Sequence, residues 1–369
     1  MNTLPLRVGI QQRVLPGYRV PFFDALALEC AGGLDLYAGE PRPKESIALG
    51  EAPQHARLAR GRNLHLFSGG ASCYLQRGLV DWLERCQPQV LVVEANPRNL
   101  SLPAAVKWMH RRSLPAIGWG LGAPEPHGRL AWLRTWGRNA LLRRFDALIS
   151  YSAQGAAEYC AAGFPTQRVF VAPNAAAPRP VHPLPSRPAE VDQPPVALFV
   201  GRLQARKRID LLLRACAALP AGLQPRLWLV GDGPARAELE QQASVIYPAA
   251  QFFGARYGPE LETLFRAADL FVLPGTGGLA VQQAMAFGLP VIVGEADGTQ
   301  DDLVRPENGW QVSPGDPDSL QQTLAAALAD PAGLRRRGEA SYRIAAQEVN
   351  LECMVEGFIR AVQAVVGGA

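Results

Sequence analysis

Residues 270–290, LFVLPGTGGLAVQQAMAFGLP, decide the fold predicted for this chain. The apolar run 270–273 is short enough to be a buried parallel strand. The proline and three glycines of residues 274–278 end that strand, because they favour a tight backbone turn. Helix-compatible residues follow as far as residue 287, and a second apolar run begins at Val291. Strand, turn, helix and strand form a βαβ unit, which aims backbone N–H groups and a helix N-terminus at one point, as a phosphate site requires.

Length and composition predict two folded domains. The chain has 369 residues, too many for one ordinary core, and 48% of them are hydrophobic. A net charge of +4 is too small to argue for nucleic-acid binding. The six cysteines are scattered, without a C-x-x-C pair and without a histidine at metal-ligand spacing. We therefore expect free thiols in a reducing compartment and no metal site.

The location predicted from the sequence is cytoplasmic. No apolar run approaches the roughly 20 residues of a membrane-spanning helix, and the predicted strand at residues 6–10 leaves no room for a signal peptide. Residues 129–145 mix tryptophans and leucines with arginines. Such a helix is typical of segments that lie on anionic lipid, so peripheral contact with the inner face of the membrane is one hypothesis. The alternative is an ordinary helix that buries one apolar face.

The first half of the chain alternates predicted strands and helices, which implies a parallel sheet covered by helices. Residues 40–63, rich in proline, arginine and glycine, are expected to be irregular. Ligands of such sheets bind beyond the carboxyl ends of the strands. The loops at that rim carry Arg13, Tyr18, Arg19, Glu94 and Arg98.

The prolines of residues 174–195 prevent regular structure and predict a semi-rigid linker. Strands and helices then alternate again. We therefore expect an α/β protein with two doubly wound, Rossmann-like domains, residues 1–173 and 196–350, facing each other across a cleft. Residues 351–369 follow as a last segment.

A basic stretch follows the first predicted strand of the second domain. Arg202 offers a guanidinium fork for two oxygens, and Lys207 offers a compact ammonium. Together they suit a diphosphate leaving group, whose growing negative charge they would stabilise. The alternatives are a solvated basic turn here and a plain βα turn at residues 274–278. The spacing of a P-loop is missing, and residues 231–233 lack the third glycine of a dinucleotide fingerprint.

An ordered set of motifs over residues 196–345 resembles the donor domain of GT-B glycosyltransferases, in particular the large retaining family 4. The motifs are VGRLQARKRIDLLLRA, LWLVGDGPARAELE, FFGARYGPELETLFRAADLFVLPG, AMAFGLPVI and ENGWQV. The N-terminal half resembles the same fold more loosely, through YRVPFF and EANPR. The resemblance implies a nucleotide-sugar in the second domain, an acceptor in the first, no metal ion, and a helix within residues 351–369 that crosses back to the first domain.

The resemblance also implies roles for matched positions. Arg202 and Lys207 would hold the donor diphosphate and serve catalysis. The other residues implied to bind the donor are Gly201, Gly231, Ala255, Arg256, Gly277, Gly278, Leu279, Ala280 and Gln283. Gln283 and Gly275 stand where the family typically has two glutamates. Gln283 still offers an amide for ribose hydroxyls, whereas Gly275 has no side chain and is expected to be required by the conformation of its turn.

On the acceptor side, the resemblance implies a histidine at the end of a strand near the reacting centre, but residues 119–122 (WGLG) stand there, with His127 nearby in the sequence. We expect Glu94 to contact an acceptor hydroxyl and to serve as a base; the alternative is a structural pair with Arg98 or Arg19. Arg13, Tyr18, Arg19 and Arg98 are predicted to bind the acceptor.

The predicted function is metal-independent transfer of a hexose or deoxyhexose, with retention, from a nucleotide-diphosphate sugar to a glycan or lipid-linked acceptor of surface polysaccharide or lipopolysaccharide biosynthesis. A UDP-sugar is the first expectation for the donor, and a GDP- or dTDP-sugar the next. The alternatives are a weak or inactive GT-B subunit that binds nucleotide-sugar or scaffolds a partner, and a GT-B epimerase.

Overall fold

The structure is a computed structural model. It describes residues 4–42, 45, 47, 49–67, 72–126, 128, 131–187, 194–277, 279–294 and 299–367. The chain divides into two compact units, one formed by Met1–Ala176 with Leu351–Ala369 and the other by Ala177–Asn350. Each unit contains one fully parallel sheet with helices between its strands. Two parallel-sheet α/β domains were predicted from the sequence, and the structure confirms them.

The first unit begins with a seven-stranded sheet and a hairpin. Its elements up to residue 171 are β1 (Val8–Val14), α1 (Val20–Glu29), β2 (Leu34–Gly39), β3 (Arg57–Arg60), β4 (Arg62–Leu66), β5 (Cys73–Arg77), α2 (Leu79–Cys86), β6 (Val90–Glu94), α3 (Leu102–His110), β7 (Ala116–Gly120), α4 (Ala131–Leu142), β8 (Ala147–Ser150), α5 (Ala153–Ala161) and β9 (Val169–Val171). The strand order of the sheet is β3-β2-β1-β6-β7-β8-β9, and β4 pairs with β5 as an antiparallel hairpin.

The second unit contains a six-stranded sheet, and the chain then returns to the first unit. The elements are β10 (Val196–Val200), α6 (Ile209–Ala217), β11 (Arg226–Val230), α7 (Arg236–Ile246), β12 (Gln251–Gly254), α8 (Gly258–Ala267), β13 (Leu270–Leu273), α9 (Leu279–Ala286), β14 (Val291–Gly294), α10 (Thr299–Leu303), β15 (Gly309–Val312), α11 (Pro317–Leu328), α12 (Pro331–Gln347) and α13 (Leu351–Val366). The strand order is β12-β11-β10-β13-β14-β15.

The stretch that decided the prediction forms the βαβ unit β13-α9-β14. All four residues of β13 and all four of β14 are buried, as expected for strands covered by helices on both faces. The chain leaves β10 toward β11 and β12 on one side, and β13 then continues on the other side of β10. The carboxyl ends of β10 and β13 therefore form the switch point of this sheet, where ligands of such sheets bind.

The prediction that residues 40–63 are irregular was wrong for their second half. The prolines end at Pro53, and β3 and β4 follow. Strand β3 pairs in parallel with β2, where Leu58 lies opposite Leu36. Because β3 is an edge strand, the arginines at its two ends are exposed. Its arginine-rich composition therefore did not indicate a strand.

Helix α13 belongs to the core of the first unit, where it packs on α1, β8 and β9. The ring of Phe358 lies 4.9 Å from that of Phe22 and 4.8 Å from that of Trp119, measured between centroids. Trp119 is 1% exposed. Trp119, at the strand end where the resemblance implied a histidine, is therefore a core residue, while His127 lies outside the described residues.

Candidate functional site

Three loops at the carboxyl ends of β10, β11 and β12 are held together by backbone hydrogen bonds. The Gly201 N–H donates to the Val230 carbonyl over 2.9 Å, and the Gly231 N–H donates to the Gly254 carbonyl over 2.8 Å. A Cβ atom on Gly231 would lie 1.9 Å from the Gly201 carbonyl oxygen. Only glycine fits at residue 231, so the packing of these loops depends on it.

A fourth loop, the glycine turn after β13, is tied to the loop after β10. The Lys207 Nζ donates to the Thr276 carbonyl over 2.7 Å, and the Arg206 guanidinium reaches the Thr276 Oγ1 over 3.3 Å. The Thr276 N–H donates in return to the Arg206 carbonyl over 3.2 Å. The predicted donor residues Gly201, Lys207 and Gly277 therefore lie together at the switch point.

Two glycines of the turn disfavour a side chain, for different reasons. A Cβ atom on Gly275 would lie 2.2 Å from the Arg206 carbonyl oxygen and 2.5 Å from the Lys207 Cα. A Cβ atom on Gly277 would lie 2.7 Å from the Lys207 Nζ, and this glycine has a φ of +103°. The expectation that Gly275 is required by its backbone conformation was wrong: the left-handed conformation belongs to Gly277, and close approach of the 206–207 backbone excludes a side chain at Gly275.

The charge of this site is positive. Burial, and then the neighbouring Arg206 charge, lower the pKa of Lys207 from 10.5 to about 8. Arg202 is exposed. Throughout the described ranges, neither of these cations nor Arg206 forms an ion pair with a carboxylate. An anion is the ligand that this arrangement favours.

The remaining predicted donor residues follow β12 or belong to helix α9. Ala255 and Arg256 are exposed after β12, and Arg256 pairs with Glu260 over 3.2 Å. Leu279 and Ala280 form the first turn of α9 and are half-buried, whereas Gly278 lies outside the described residues. One turn further along α9, Gln283 lines a cavity of about 240 Å³ together with residues 177–182 and helix α8.

No cluster of histidine, cysteine, aspartate and glutamate side chains that could hold a metal ion occurs among the residues described by the structure. In the same part of the chain, no helix combines the length and the apolar character needed to cross a bilayer.

The first sheet has its own switch point, between β1 and β6, and a buried amide network underlies it. The Gln11 Nε2 donates to the Gln76 Oε1 over 2.6 Å, and the Asn99 Nδ2 donates to the same oxygen over 3.1 Å. The Gln11 Oε1 accepts from the Glu94 N–H over 3.1 Å. This network was not predicted from the sequence, although two glutamines that directly follow the apolar run 8–10 were the available signal.

Glu94 ends β6 at this switch point. Burial raises the pKa of its carboxyl from 4.5 to about 7, against the opposing effects of the Arg13 backbone and of the Arg13 and Arg19 charges. Within the described part of the chain, its carboxylate forms no ion pair with Arg98 or with Arg19. The structural pair considered as the alternative is therefore absent.

The four predicted acceptor residues differ in their surroundings. Tyr18 and Arg98 are exposed. Arg13 is half-buried and pairs with Glu45 over 2.8 Å. Arg19 is only 4% exposed: its guanidinium lies over the rings of Trp119 and Tyr151 and donates to the Asn174 Oδ1 over 2.6 Å. The guanidinium of Arg19 is thus engaged inside the first unit.

Comparison of the whole structure with solved structures defines the class of fold. Anabaena HepE in complex with UDP superposes with a TM-score of 0.72, covering 97% of this chain and 99% of that chain at 17% sequence identity. At that identity the likeness concerns the fold. The chain has the GT-B fold, with its two parallel-sheet Rossmann-like domains.

Comparison with family models gives a match within the second unit. Residues 184–344 match the model of a family described as glycosyl transferases group 1. A GDP-mannose-dependent alpha-mannosyltransferase of Mycobacterium tuberculosis is 42% identical over 118 residues, which are 31% of this chain and 29% of that protein. The lipopolysaccharide core biosynthesis glycosyltransferase LpsE of Rhizobium meliloti is 26% identical over 178 residues, or 47% and 52% of the two lengths. The chain thus spans between a quarter and about half of the length of these curated relatives.

Proposed function

We propose that this protein is a glycosyltransferase that moves a hexose or deoxyhexose from a nucleotide-diphosphate sugar to a glycan or lipid-linked acceptor of surface polysaccharide or lipopolysaccharide biosynthesis. One observation carries the proposal. The Lys207 ammonium stands at the switch point of the second sheet, held by the Thr276 carbonyl and paired with no carboxylate of the described residues. A diphosphate supplies the negative charge that this position lacks.

The chemistry assigned to this centre is stabilisation of the leaving group. As the bond between the sugar and the diphosphate breaks, negative charge grows on the phosphate oxygen. Lys207 and Arg202 stabilise that charge, and the N–H groups of Gly277, Leu279 and Ala280 at the start of α9 donate to the same phosphate. Transfer with retention needs mainly this stabilisation and correct positioning of the acceptor, so the proposed reaction is metal-independent.

The donor is proposed to be a UDP-sugar first, with a GDP- or dTDP-sugar next. The neighbouring structure of HepE contains UDP, whereas the mannosyltransferase relative is named for GDP-mannose. Gln283 is proposed to bind the ribose hydroxyls, and Ala255 and Arg256 to border the base. None of these three residues selects one nucleotide base by itself.

On the acceptor side, Glu94 is proposed to accept the proton of the attacking hydroxyl, with Tyr18 and Arg98 as the exposed groups that contact the acceptor. A pKa of about 7 suits a general base near neutral pH. Arg13 is proposed to act through its effect on Glu94 and through its pair with Glu45.

The acceptor is proposed to be presented at the inner face of the membrane, where α4 makes peripheral contact. Trp132 and Trp136 are each 68% exposed, and Leu133 is 45% exposed. The buried residues of α4 are Leu141 and Leu142, near its C-terminal end. The first two turns of α4 therefore present aromatic and apolar side chains beside arginines, as helices that lie on anionic lipid do.

The alternative function is a weak or inactive GT-B subunit that binds nucleotide-sugar or scaffolds a partner. The packing at Gly275 favours it, since no side chain is available there to contact the sugar. Incubation with a panel of UDP-, GDP- and dTDP-sugars separates the two. Release of free nucleotide by the wild type, but not by Lys207→Ala, supports the enzyme, whereas binding of nucleotide without release from any donor, with and without glycan acceptors, supports the inactive subunit.

A further inference from the structure

The side chain of Gln282 holds both segments through which the chain enters and leaves the second unit. Its Nε2 donates to the Val349 carbonyl over 2.7 Å and to the Ala177 carbonyl over 3.2 Å. Its Oε1 accepts from the Ala177 N–H over 3.3 Å. The second unit extends over Ala177–Asn350, so these partners lie at its first residue and next to its last.

In the first unit, the side chain of Arg19 likewise contacts both segments that connect the two units. Arg19 donates to the Asn174 Oδ1, and its Nη1 lies 3.4 Å from the Met354 Sδ. Asn174 precedes the outgoing boundary by two residues, and Met354 lies in the first turn of α13 after the return. Each unit therefore uses one buried side chain to hold both connecting segments.

Gln282 is a polar residue in a buried position. The residue is 2% exposed, and a buried amide destabilises a fold unless its hydrogen bonds are satisfied. Two other buried residues of α9, Val281 and Ala284, are apolar. Packing of the helix therefore does not by itself require an amide side chain. The bonds of the Gln282 amide to the two connecting segments are what an apolar residue of the same size would not provide.

Helix α9 connects Gln282 to the proposed donor site. The helix begins at the glycine turn that is tied to Lys207, and Gln282 is followed directly by Gln283. Gln283 shares its cavity with residues 177–182, the continuation of the segment that Gln282 holds at Ala177. Gln282 is the fourth residue of α9, only about 4.5 Å along the helix axis from the first, so we expect a ligand held at the turn to restrain Gln282 as well.

We propose that Gln282 is a positioning residue, through which donor binding at the start of α9 immobilises both connecting segments. The inference rests on the proposed function, because it needs a nucleotide at the glycine turn. It assigns Gln282 no contact with the donor. Its removal is therefore expected to leave nucleotide affinity in place and to abolish the effect of the nucleotide on the connections.

The test is hydrogen exchange of the amides at residues 174–177 and 347–352, with and without UDP, in the full-length protein. In the wild type, UDP is expected to slow exchange of both segments at least tenfold. Gln282→Met keeps the shape of the side chain without its hydrogen bonds. We expect it to bind UDP within threefold of the wild-type Kd by calorimetry, with the protection of both segments lost. Gln241→Met, an exposed change on α7, is the control and keeps the protection.

The outcomes separate this inference from the proposed function. Failure of the wild type to bind UDP, GDP or dTDP would overturn both. Binding with equal protection in the wild type and in Gln282→Met would overturn the inference alone, as would binding without any protection. If Gln282→Met does not fold by circular dichroism, Ala177→Pro removes the N–H that donates to the Gln282 Oε1 and keeps the Ala177 carbonyl that accepts from the Nε2. Protection of residues 174–176 is then expected to fall while UDP affinity persists, and unchanged protection would overturn the inference.

Discussion

The Lys207 ammonium donates to the Thr276 carbonyl over 2.7 Å, which joins the loop after β10 to the glycine turn after β13. The bond holds the cation in place before any ligand arrives and uses one of its three N–H donors. The remaining donors are available to a phosphate at no cost in orientation, which is the preorganisation that charge stabilisation in a transition state needs.

Lys207→Ala and Arg202→Ala are each expected to remove most turnover while the fold remains intact. Each change deletes a charge-assisted contact to a phosphate, which is worth on the order of 2–4 kcal/mol, or roughly a 30- to 1,000-fold loss in kcat. Rates of nucleotide release from a UDP-sugar give the measurement. Arg214→Ala, an exposed arginine on α6, is the control and is expected to keep wild-type rates. Wild-type rates in Lys207→Ala or Arg202→Ala would reject the diphosphate assignment.

Nucleotide affinity is expected to depend on pH through Lys207. Its pKa of about 8 means that the ammonium is charged below pH 8 and neutral above it, so UDP affinity measured by calorimetry falls as the pH rises from 7 to 9.5. Lys207→Arg keeps its charge over that range and is expected to flatten the profile. A wild-type profile that is already flat between pH 7 and 9.5 contradicts the prediction.

Glu94→Gln is expected to lower kcat on the order of 100-fold with the native acceptor, because a neutral amide accepts no proton. The same change is expected to raise stability at pH 8. The carboxyl has a folded-state pKa above its unfolded value, so its contribution to stability is present below pH 4.5 and is lost as the pH rises through 7. Thermal unfolding at pH 5 and pH 8 measures this, and unchanged kinetics would sink the assignment of Glu94 as a base.

Gly275→Glu is expected to abolish activity and not to restore a family-like sugar contact. Even Gly275→Ala places a Cβ against the Arg206 carbonyl, and such overpacking costs about 1–3 kcal/mol of folding free energy. Urea unfolding and nucleotide release are measured together on both variants. Gly222→Ala, where a Cβ atom meets nothing within 4 Å, is the matched control. A stable and active Gly275→Glu enzyme with a new sugar preference would show that the two loops are free to separate.

Replacement of Trp132 and Trp136 by alanine is expected to weaken binding to phosphatidylglycerol vesicles without changing the melting temperature, since both rings are exposed. Burial of each ring in the interface is expected to contribute about 1.5 kcal/mol, or roughly tenfold in the partition constant. Vesicle cosedimentation gives the measurement, with Val245→Ala on α7 as an exposed control. Equal partitioning of the double variant and the wild type would remove α4 from the membrane proposal.

The fold was predictable because it depends on local patterns. The run Leu270–Leu273, the glycines that follow it and the apolar run at Val291 specify β13-α9-β14 within one stretch of sequence. The basic residues after β10 were predicted to lie at a strand end on the ligand side of the same sheet, because ligands of parallel sheets bind there. Lys207 and Gly277 were accordingly predicted together, and they lie together.

The remaining features depend on contacts between residues far apart in the sequence. Nothing around Gly275 reveals that the backbone of residues 206–207 closes on it. Arg19 was predicted to bind an acceptor, yet its partners Asn174 and Met354 are 155 and 335 residues away. The role of Gln282 depends on Val349 in the same way. Periodicity and turn chemistry depend on residues that are neighbours along the chain, so they cannot predict partners that are distant in the sequence.

Helix α13 has a consequence for the order in which this protein folds. The ring of Phe358 completes the aromatic cluster of Phe22 and Trp119, yet a ribosome reaches it only after translating the whole second unit. Domains usually fold one after another from the N-terminal side during synthesis. Here the second unit is continuous and complete first, while the first unit emerges with an open apolar face that stays in need of protection until α13 arrives.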